Sequence, residues 1–251
     1  MPKNEIMLSS DIIGIDKELI ESAREEASRF SNPLSRKRAM INLLGIKCAL
    51  KFFETTNVEI STVRSIHSIP ILSEEFKIND IYCNGWRIDI ITLYKNGYIK
   101  TPRIHLDCDI LPDFYFVIQI GAKMEEAKIL GFIDSEVVKT APCNVNDCFP
   151  QPDLIFGLDG FLMRTKKPAP SKSVSDKHDE CKGLFFKFID GKLSLVYKSQ
   201  LINHLISCED CMNKFLNVLE FQKAAEDIEQ YPDLKTACEQ PYLFNSFTYS
   251  I

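Results

Sequence analysis

The spacing of apolar residues predicts two helices at the start of the chain. Apolar positions recur every three or four residues over 16–30 and, more strongly, over 35–55, which is the period of an amphipathic helix. We expect Pro33 to end the first helix and Ser35 to cap the second. The second helix has an apolar stripe broad enough to face a core: Ala39, Leu43, Ile46, Leu50 and Phe53.

The middle of the chain changes to runs rich in β-branched and aromatic residues, which favour strands. Asn84-Gly85 and Asn96-Gly97 favour tight turns, because both residue types tolerate a positive φ. No helical segment alternates with these runs, so we predict the α+β class, with an N-terminal helix and an antiparallel sheet. The predicted strands cover residues 77–82, 86–94, 114–120 and 128–133.

Composition shifts divide the chain into five segments. Periodicity is lost and prolines accumulate between residues 141 and 175, and helical spacing then returns. The last segment, residues 241–251, is rich in aromatic residues and either docks on its own domain or binds a partner. The predicted segments are an N-terminal helix (1–34), an α+β domain (35–165), a linker (166–176), a small helical domain (177–240) and an aromatic tail (241–251).

Charge and composition exclude several function classes. The chain has 251 residues, a net charge of −5 and only one compact basic cluster, Arg36-Lys37-Arg38, so it lacks the concentrated positive surface that nucleic-acid binding requires. No window of eighteen or more uncharged apolar residues would span a membrane. The N-terminus lacks the layout of a secretory signal. We therefore expect a cytoplasmic protein whose nine scattered cysteines stay reduced.

The run from His204 to Cys211 places one imidazole and two thiols at metal-ligand spacing. If Cys208 opens a helix, its thiolate and that of Cys211 lie about one turn apart, and His204 ends the preceding helix. A tetrahedral site needs a fourth ligand, and His178 or Cys181 can supply it. We predict a closed Zn²⁺ site formed by His178, His204, Cys208 and Cys211, which makes the C-terminal domain a zinc-stapled bundle of three to four helices.

Other interpretations of these cysteines stay open. Buried free cysteines are often simply small hydrophobes, and Cys208 and Cys211 could form a reversible disulfide. A redox Cys-x-x-Cys motif usually follows a strand, whereas a helical pattern precedes this one. Cys143 and Cys148 lie in a segment with no helical frame, which favours unpaired thiols over a second metal site.

No sequence frame for catalysis is present. The chain has no Gly-x-Ser-x-Gly, phosphate-loop or His-Glu-x-x-His motif. His105, with Asp107 and Asp109, could form a metal or acid-base cluster, but a polar strand end is the favoured interpretation. His67 lies between apolar residues, which favours a core or turn histidine. We expect a protein that is not an enzyme.

The C-terminal segment resembles a known zinc-binding domain. Its order is a ligand at His178, a helix, a stop at Gly191, a start at Ser194, a second helix, and then His204 before the Cys-x-x-Cys corner. Residues 178–230 thereby resemble the zinc-binding anti-sigma-factor domain. The resemblance implies a regulator that sequesters an RNA polymerase sigma factor by protein contact and releases zinc on oxidation. Two features depart from that family: the domain comes last, and Leu195-Val196-Tyr197 replaces charged residues.

The N-terminal region resembles a second family. Residues 114–120 and 126–133 are similar to the "tyrosine, aliphatic, Val-Gln" and "Ala-x-x-Leu-Gly-Phe" strands of a cyanobacterial domain of unknown function, the family numbered 1822. The similarity covers roughly residues 35–135. It implies a cyanobacterial source and supplies no activity.

These observations lead to two main functional hypotheses, and a third, an enzyme built on the N-terminal domain, stays open only because the family that this region resembles is uncharacterised. The first is a zinc-binding, anti-sigma-like transcription regulator with a protein partner, neither membrane-bound nor in direct contact with nucleic acid. The second is a non-catalytic structural or adaptor protein whose zinc module binds some other protein.

Overall fold

A computed structural model describes residues 12–30, 32–56, 58–61, 65–67, 69–95, 97–150, 158–165, 169 and 178–230. The chain splits into two compact units, Met1–Ser173 and Val174–Ile251. The predicted linker, apart from Ala169, and the aromatic tail lie outside the described residues.

The first unit combines helices with a sheet, so the α+β class is confirmed. Its helices are α1 (Lys17–Ala27), α2 (Pro33–Thr55), α3 (Pro70–Phe76), α4 (Ile104–Asp107), α5 (Ser135–Lys139) and α6 (Leu158–Thr165). Its strands are β1 (Ile12–Gly14), β2 (Ile60–Ser61), β3 (Asp80–Cys83), β4 (Trp86–Tyr94), β5 (Thr101–Pro102), β6 (Phe114–Ile120), β7 (Glu126–Asp134) and β8 (Asp147–Cys148).

Six strands form one sheet in the order β1-β7-β6-β4-β3-β2, and β5 pairs with β8 separately. The prediction of a purely antiparallel sheet is wrong, because β4 and β6 run parallel, with Ile88 opposite Phe114 and Ile90 opposite Phe116. In the described part of their connection, the only helix is the four-residue α4, which follows the two-residue strand β5. A crossover without a long amphipathic helix leaves no βαβ pattern in the sequence.

Helix α2 packs closely on one face of this sheet. A Cβ atom added to Gly45 would lie 1.9 Å from Thr92 Oγ1, so only glycine allows α2 to approach β4 this closely. Phe53 of α2 stacks near Phe116 of β6, with ring centroids 5.0 Å apart, and near Phe161 of α6 at 5.6 Å. These rings are fully buried and form the centre of the core.

The start of α2 differs from the prediction. Its first residue is Pro33, and the N-cap is Asn32, whose side-chain oxygen accepts a hydrogen bond from the Ser35 backbone N–H at 2.8 Å. Proline suits this position because the first helical N–H needs no partner within the helix. Pro33 therefore begins α2, while α1 already ends at Ala27.

The opposite face of the sheet covers a buried polar network. Arg87 Nε donates to Asp80 Oδ2 at 3.2 Å, and Arg87 Nη1 donates to the Ile110 carbonyl at 2.9 Å. His105 lies fully buried in α4 and bonds through its ring nitrogens to the Tyr115 hydroxyl and the Phe76 carbonyl, both at 2.9 Å. Every ring nitrogen of His105 thus has a protein partner.

The interpretation of residues 105–109 as a polar strand end is wrong, since His105 belongs to helix α4. Asp107 and Asp109 are exposed and do not join it in a metal-binding group. His67 is buried, with its Nδ1 2.7 Å from the Asp80 carbonyl, which confirms a core histidine.

The interpretation of Cys143 and Cys148 as unpaired thiols is also wrong, because they form a disulfide. The side-chain oxygen of Asn144 accepts from the backbone N–H groups of Asn146 and Asp147, each at 2.8 Å. This Asx turn folds the intervening loop back on itself and brings the two sulfurs together.

The second unit consists, in its described part, of α7 (His178–Ile189), α8 (Leu195–Ser207) and α9 (Glu209–Gln230). Gly191 has a φ of +69°, and its N–H bonds to the Phe188 carbonyl while that of Lys192 bonds to the Lys187 carbonyl. This is a Schellman cap, so the predicted stop at Gly191 is confirmed. Phe185 and Phe188 of α7 pack edge-on against Phe215 of α9.

Candidate metal centre

A one-residue corner between α8 and α9 sets the positions of three candidate ligands. Cys208 is the only residue between the two helices and has an extended backbone, with φ −120° and ψ 104°. Its N–H donates to the His204 carbonyl at 2.8 Å, and its carbonyl accepts from the Met212 N–H at 3.0 Å. His204 therefore lies in the last turn of α8 and Cys211 in the first turn of α9, on either side of Cys208.

Helix α7 brings the fourth side chain to this corner. Nδ1 of His178 lies 3.4 Å from Cys211 Sγ and 3.6 Å from Cys208 Sγ. The rings of His178 and His204 are nearly perpendicular, with centroids 5.2 Å apart. One ligand atom from each of the four residues lies within 4.8 Å of all the others.

These separations match tetrahedral coordination. Bonds of about 2.3 Å to sulfur and 2.0 Å to nitrogen place neighbouring ligand atoms roughly 3.5 Å apart. The two measured nitrogen–sulfur distances are close to this value. The full set extends to 4.8 Å, so the more distant ligand atoms would have to move closer for one cation to bind all four.

An unsatisfied polar atom also indicates a missing partner. Nε2 of His204 is buried and has no hydrogen-bond partner among the residues that the structure describes. A buried nitrogen without a partner costs about 1–3 kcal/mol, and a cation bound to it would remove that cost. The residues present therefore fit a metal ion.

Burial also sets the protonation states at this corner. It lowers the pKa of His204, with a further contribution from the nearby His178, so the imidazole stays in the neutral form that binds metals. Burial raises the pKa of the Cys211 thiol, and hydrogen bonding and charge interaction with Cys208 add to the effect. Metal binding would therefore have to displace the proton of this thiol.

The cluster of two histidines and two cysteines can hold one metal ion. It is the one group of three or more suitably placed histidine, cysteine or carboxylate side chains within the described ranges. Four protein ligands fill a tetrahedral coordination shell, which leaves no open position for water or substrate.

Cys181, the other candidate for the fourth ligand, lies beside the cluster. It is 4% exposed, and it does not belong to the group whose ligand atoms lie within 4.8 Å of one another. Burial raises its pKa to about 12. The sequence placed Cys181 near the site through its spacing from His178, but its burial depends on how α7 packs against α9.

For the residues that the structure describes, no helix is both long enough and apolar enough to cross a bilayer.

Comparison with known proteins identifies one matching family. A family model described as "Protein of unknown function (DUF1822)" matches residues 13–213. The match extends well beyond the resemblance predicted for residues 35–135, and it includes all four candidate ligands. No curated protein and no solved structure gives a significant match.

Proposed function

The chain belongs to the family of unknown function DUF1822, and we propose that it is a zinc-binding regulator that acts through protein–protein contact. The observation that supports this most strongly is the convergence of His178, His204, Cys208 and Cys211 within 4.8 Å. The family match, over residues 13–213, spans all four of these residues.

The donor set favours zinc over other divalent ions. Two thiolates and two neutral imidazoles suit a borderline-soft ion with no geometric preference of its own, and oxygen-preferring ions such as Mg²⁺ are disfavoured. The bound ion would supply folding free energy, of order 10 kcal/mol in small zinc domains. A helical unit of this size has little core of its own, so the four ligands would largely decide whether α7, α8 and α9 stay together.

Exposed apolar side chains on the same unit support a protein partner. Phe186 of α7 is 63% exposed, Val196 of α8 is 65% exposed and Phe221 of α9 is 73% exposed, and Leu195 and Tyr197 flank Val196 in the same turn. Large apolar and aromatic side chains are the residues that carry most binding energy at protein interfaces. The overall charge of −5 gives no corresponding support to nucleic-acid binding.

The partner that the sequence favours is an RNA polymerase sigma factor, since residues 178–230 resemble the zinc-binding anti-sigma-factor domain. The second candidate is an adaptor that uses the same metal site and the same exposed residues toward another protein. Neither role requires catalysis, which agrees with a coordination shell closed by four protein ligands. The two candidates differ only in the identity of the partner.

The metal site is tested by measuring the metal content of the purified full-length protein. We expect about one zinc per chain in the wild type and much less in His204→Ala. Ser207→Ala is a matched control, because Ser207 lies in the same corner and, among the described residues, its hydroxyl bonds to the backbone carbonyls of Asn203 and His204. A wild-type protein without bound zinc, or a His204→Ala variant with the wild-type content, would overturn the proposal.

The partner is tested by binding purified sigma factors of the source organism to the wild type and to Cys208→Ser. We expect binding by the wild type and at least tenfold weaker binding by Cys208→Ser, because loss of one ligand destabilises the helices that carry the exposed residues. If zinc is present but no sigma factor binds either protein, the adaptor role is favoured instead.

A further inference from the structure

The disulfide loop, residues 143–148, is held in shape by contacts other than its covalent bond. The Asn144 N–H donates to the Asp147 carbonyl, and the Phe149 N–H donates to the Pro142 carbonyl, each at 2.9 Å. These hydrogen bonds lie on either side of the two cysteines, which face each other in an antiparallel bridge. The backbone therefore keeps the two sulfurs adjacent whether or not they are bonded.

Neighbouring elements hold the same loop from outside. The Arg103 N–H donates to the Asn146 carbonyl, and its Nη1 donates to the Asn144 carbonyl, both at 2.9 Å. Cys148 also pairs with Thr101, which joins β8 to β5. The stabilisation that a crosslink supplies decreases with the length of the loop it closes, and these cysteines are only five positions apart. A purely structural role is therefore a weak explanation for this disulfide.

The two sulfurs differ in their access to dissolved thiols. Cys143 is exposed, whereas Cys148 is fully buried. Cys148 belongs to an apolar cluster that includes Ile91 and Val117 of the sheet and Val138 of α5. Thiol–disulfide exchange requires that the attacking thiolate reach a sulfur of the disulfide. An external thiol therefore attacks at Cys143.

We propose that Cys143 and Cys148 form a thiol–disulfide exchange site for low-molecular-weight thiols. Cys143 accepts the external thiol as a mixed disulfide, and Cys148 is the resolving residue. This site lies in the first unit and does not depend on the proposed metal function. It gives the chain a covalent modification site at Cys143.

The exchange is balanced in atoms and electrons. The external thiolate attacks Cys143 Sγ, a new S–S bond forms, and the bond to Cys148 breaks. Its electron pair leaves with Cys148 Sγ, which takes a proton from solvent. In the reverse step the Cys148 thiolate attacks Cys143 Sγ, restores the internal disulfide and releases the external thiolate. One disulfide replaces another in both directions, so no further oxidant or reductant is needed.

The first experiment adds oxidised glutathione to reduced, natively folded full-length protein and locates the adducts by peptide mass spectrometry. We expect Cys148→Ala to retain about one glutathione on Cys143, and the wild type to form the internal disulfide and retain roughly a tenth of that amount or less. Cys48→Ala is the matched control, because it also removes a buried cysteine and leaves the exchange pair intact. Absence of the adduct from Cys148→Ala, or equal retention in that variant and the wild type, would overturn the inference.

A second measurement needs no variant and so does not depend on how a variant folds. A short pulse of iodoacetamide on reduced, native wild type should label Cys143 roughly tenfold faster than Cys148, or more, because only Cys143 is exposed. Equal labelling rates would reject the assignment of roles. Neither measurement requires bound zinc, so failure here and failure of the proposed function are distinguishable.

Discussion

At the residue scale, burial shifts the pKa values of two groups of the first unit in opposite directions. Burial raises the pKa of Asp89 to about 7, although the charge of Arg87 opposes it. Burial lowers the pKa of His105 to about 3, and Arg87 adds to that effect. The stabilisation from Asp89 is complete below pH 4 and is lost as the pH rises through 7. That from His105 is complete above 6.5 and is lost as the pH falls toward 3.

Between pH 4 and 6.5 the two groups change the free energy of unfolding with pH in opposite directions. Replacing one of them leaves the pH dependence of the other uncompensated. We expect the free energy of unfolding of Asp89→Asn, relative to wild type, to rise with pH in this window by about 1.4 kcal/mol per pH unit. His105→Gln should give the opposite slope. Urea unfolding at several pH values measures both differences, and a difference that does not change with pH for either variant would contradict the assignment.

A third prediction at this scale concerns the loop closed by Cys143 and Cys148. Because Cys143 and Cys148 are joined in a disulfide, we expect them to resist alkylation until a reductant is added. The Asn144 side chain holds the loop between them in a turn. Asn144→Ala should make them easier to reduce, since the reduced loop is then less ordered. Peptide mass spectrometry after differential alkylation measures this, and full labelling without reductant would show that the pair is not oxidised.

At the element scale, the contact between α2 and β4 depends on one glycine. Gly45→Ala should lower the free energy of unfolding by about 3 kcal/mol, because its new Cβ would overlap the Thr92 side chain. Thr92→Ala is the matched control: no hydrogen-bond partner for its buried hydroxyl is found in the described part of the chain, so the variant alone should cost little. Combined with Gly45→Ala it should recover part of the loss. Chemical denaturation of the four proteins completes the cycle, and equal stability of Gly45→Ala and wild type would refute the close approach.

The same scale shows how far the sequence could predict the fold. Strands β4, β6 and β7 were predictable because long β-branched and aromatic runs carry a strong local signal. Strand β1 has only three residues, too few for a periodic pattern. In β4, Arg87 and Asp89 alternate with isoleucines, which normally indicates a solvated face. They are buried because α4 and the loops beside it cover that face, and such coverage is a tertiary effect.

The cluster of two histidines and two cysteines was predictable for a related reason. His204, Cys208 and Cys211 lie within eight residues, so helical geometry alone brings them together. The prediction of His178 as the fourth ligand depended in addition on the order of the helices and on the helix stop at Gly191. The burial of Cys181 accompanies the packing of Phe185 and Phe188 of α7 against Phe215 of α9, which no local pattern specifies.

At the scale of the whole molecule, the two units have different sources of stability. The first has an extensive apolar core on one face of its sheet, including Phe53, Phe116 and Phe161. In its described part, the second has a smaller set of buried apolar contacts, such as those of Phe185, Phe188 and Phe215, and by the proposal above it also depends on a metal ion. Ligand binding stabilises a folded state by RT ln(1 + [L]/Kd), which is about 4 kcal/mol at a thousandfold excess over Kd. The metal should therefore control the second unit and leave the first unchanged.

Removal of the metal tests this division. We expect a chelator to abolish hydrogen-exchange protection of backbone amides around the corner at Cys208, while amides of β6 keep theirs, because the sheet has no ligand in the site. Adding zinc back should restore protection in the wild type and not in His204→Ala, whose unprotected state should resemble the chelated wild type. If the corner stays protected without metal, the apolar contacts of Phe185, Phe188 and Phe215 suffice to hold the helices. The ion would then adjust an arrangement of α7, α8 and α9 that forms without it.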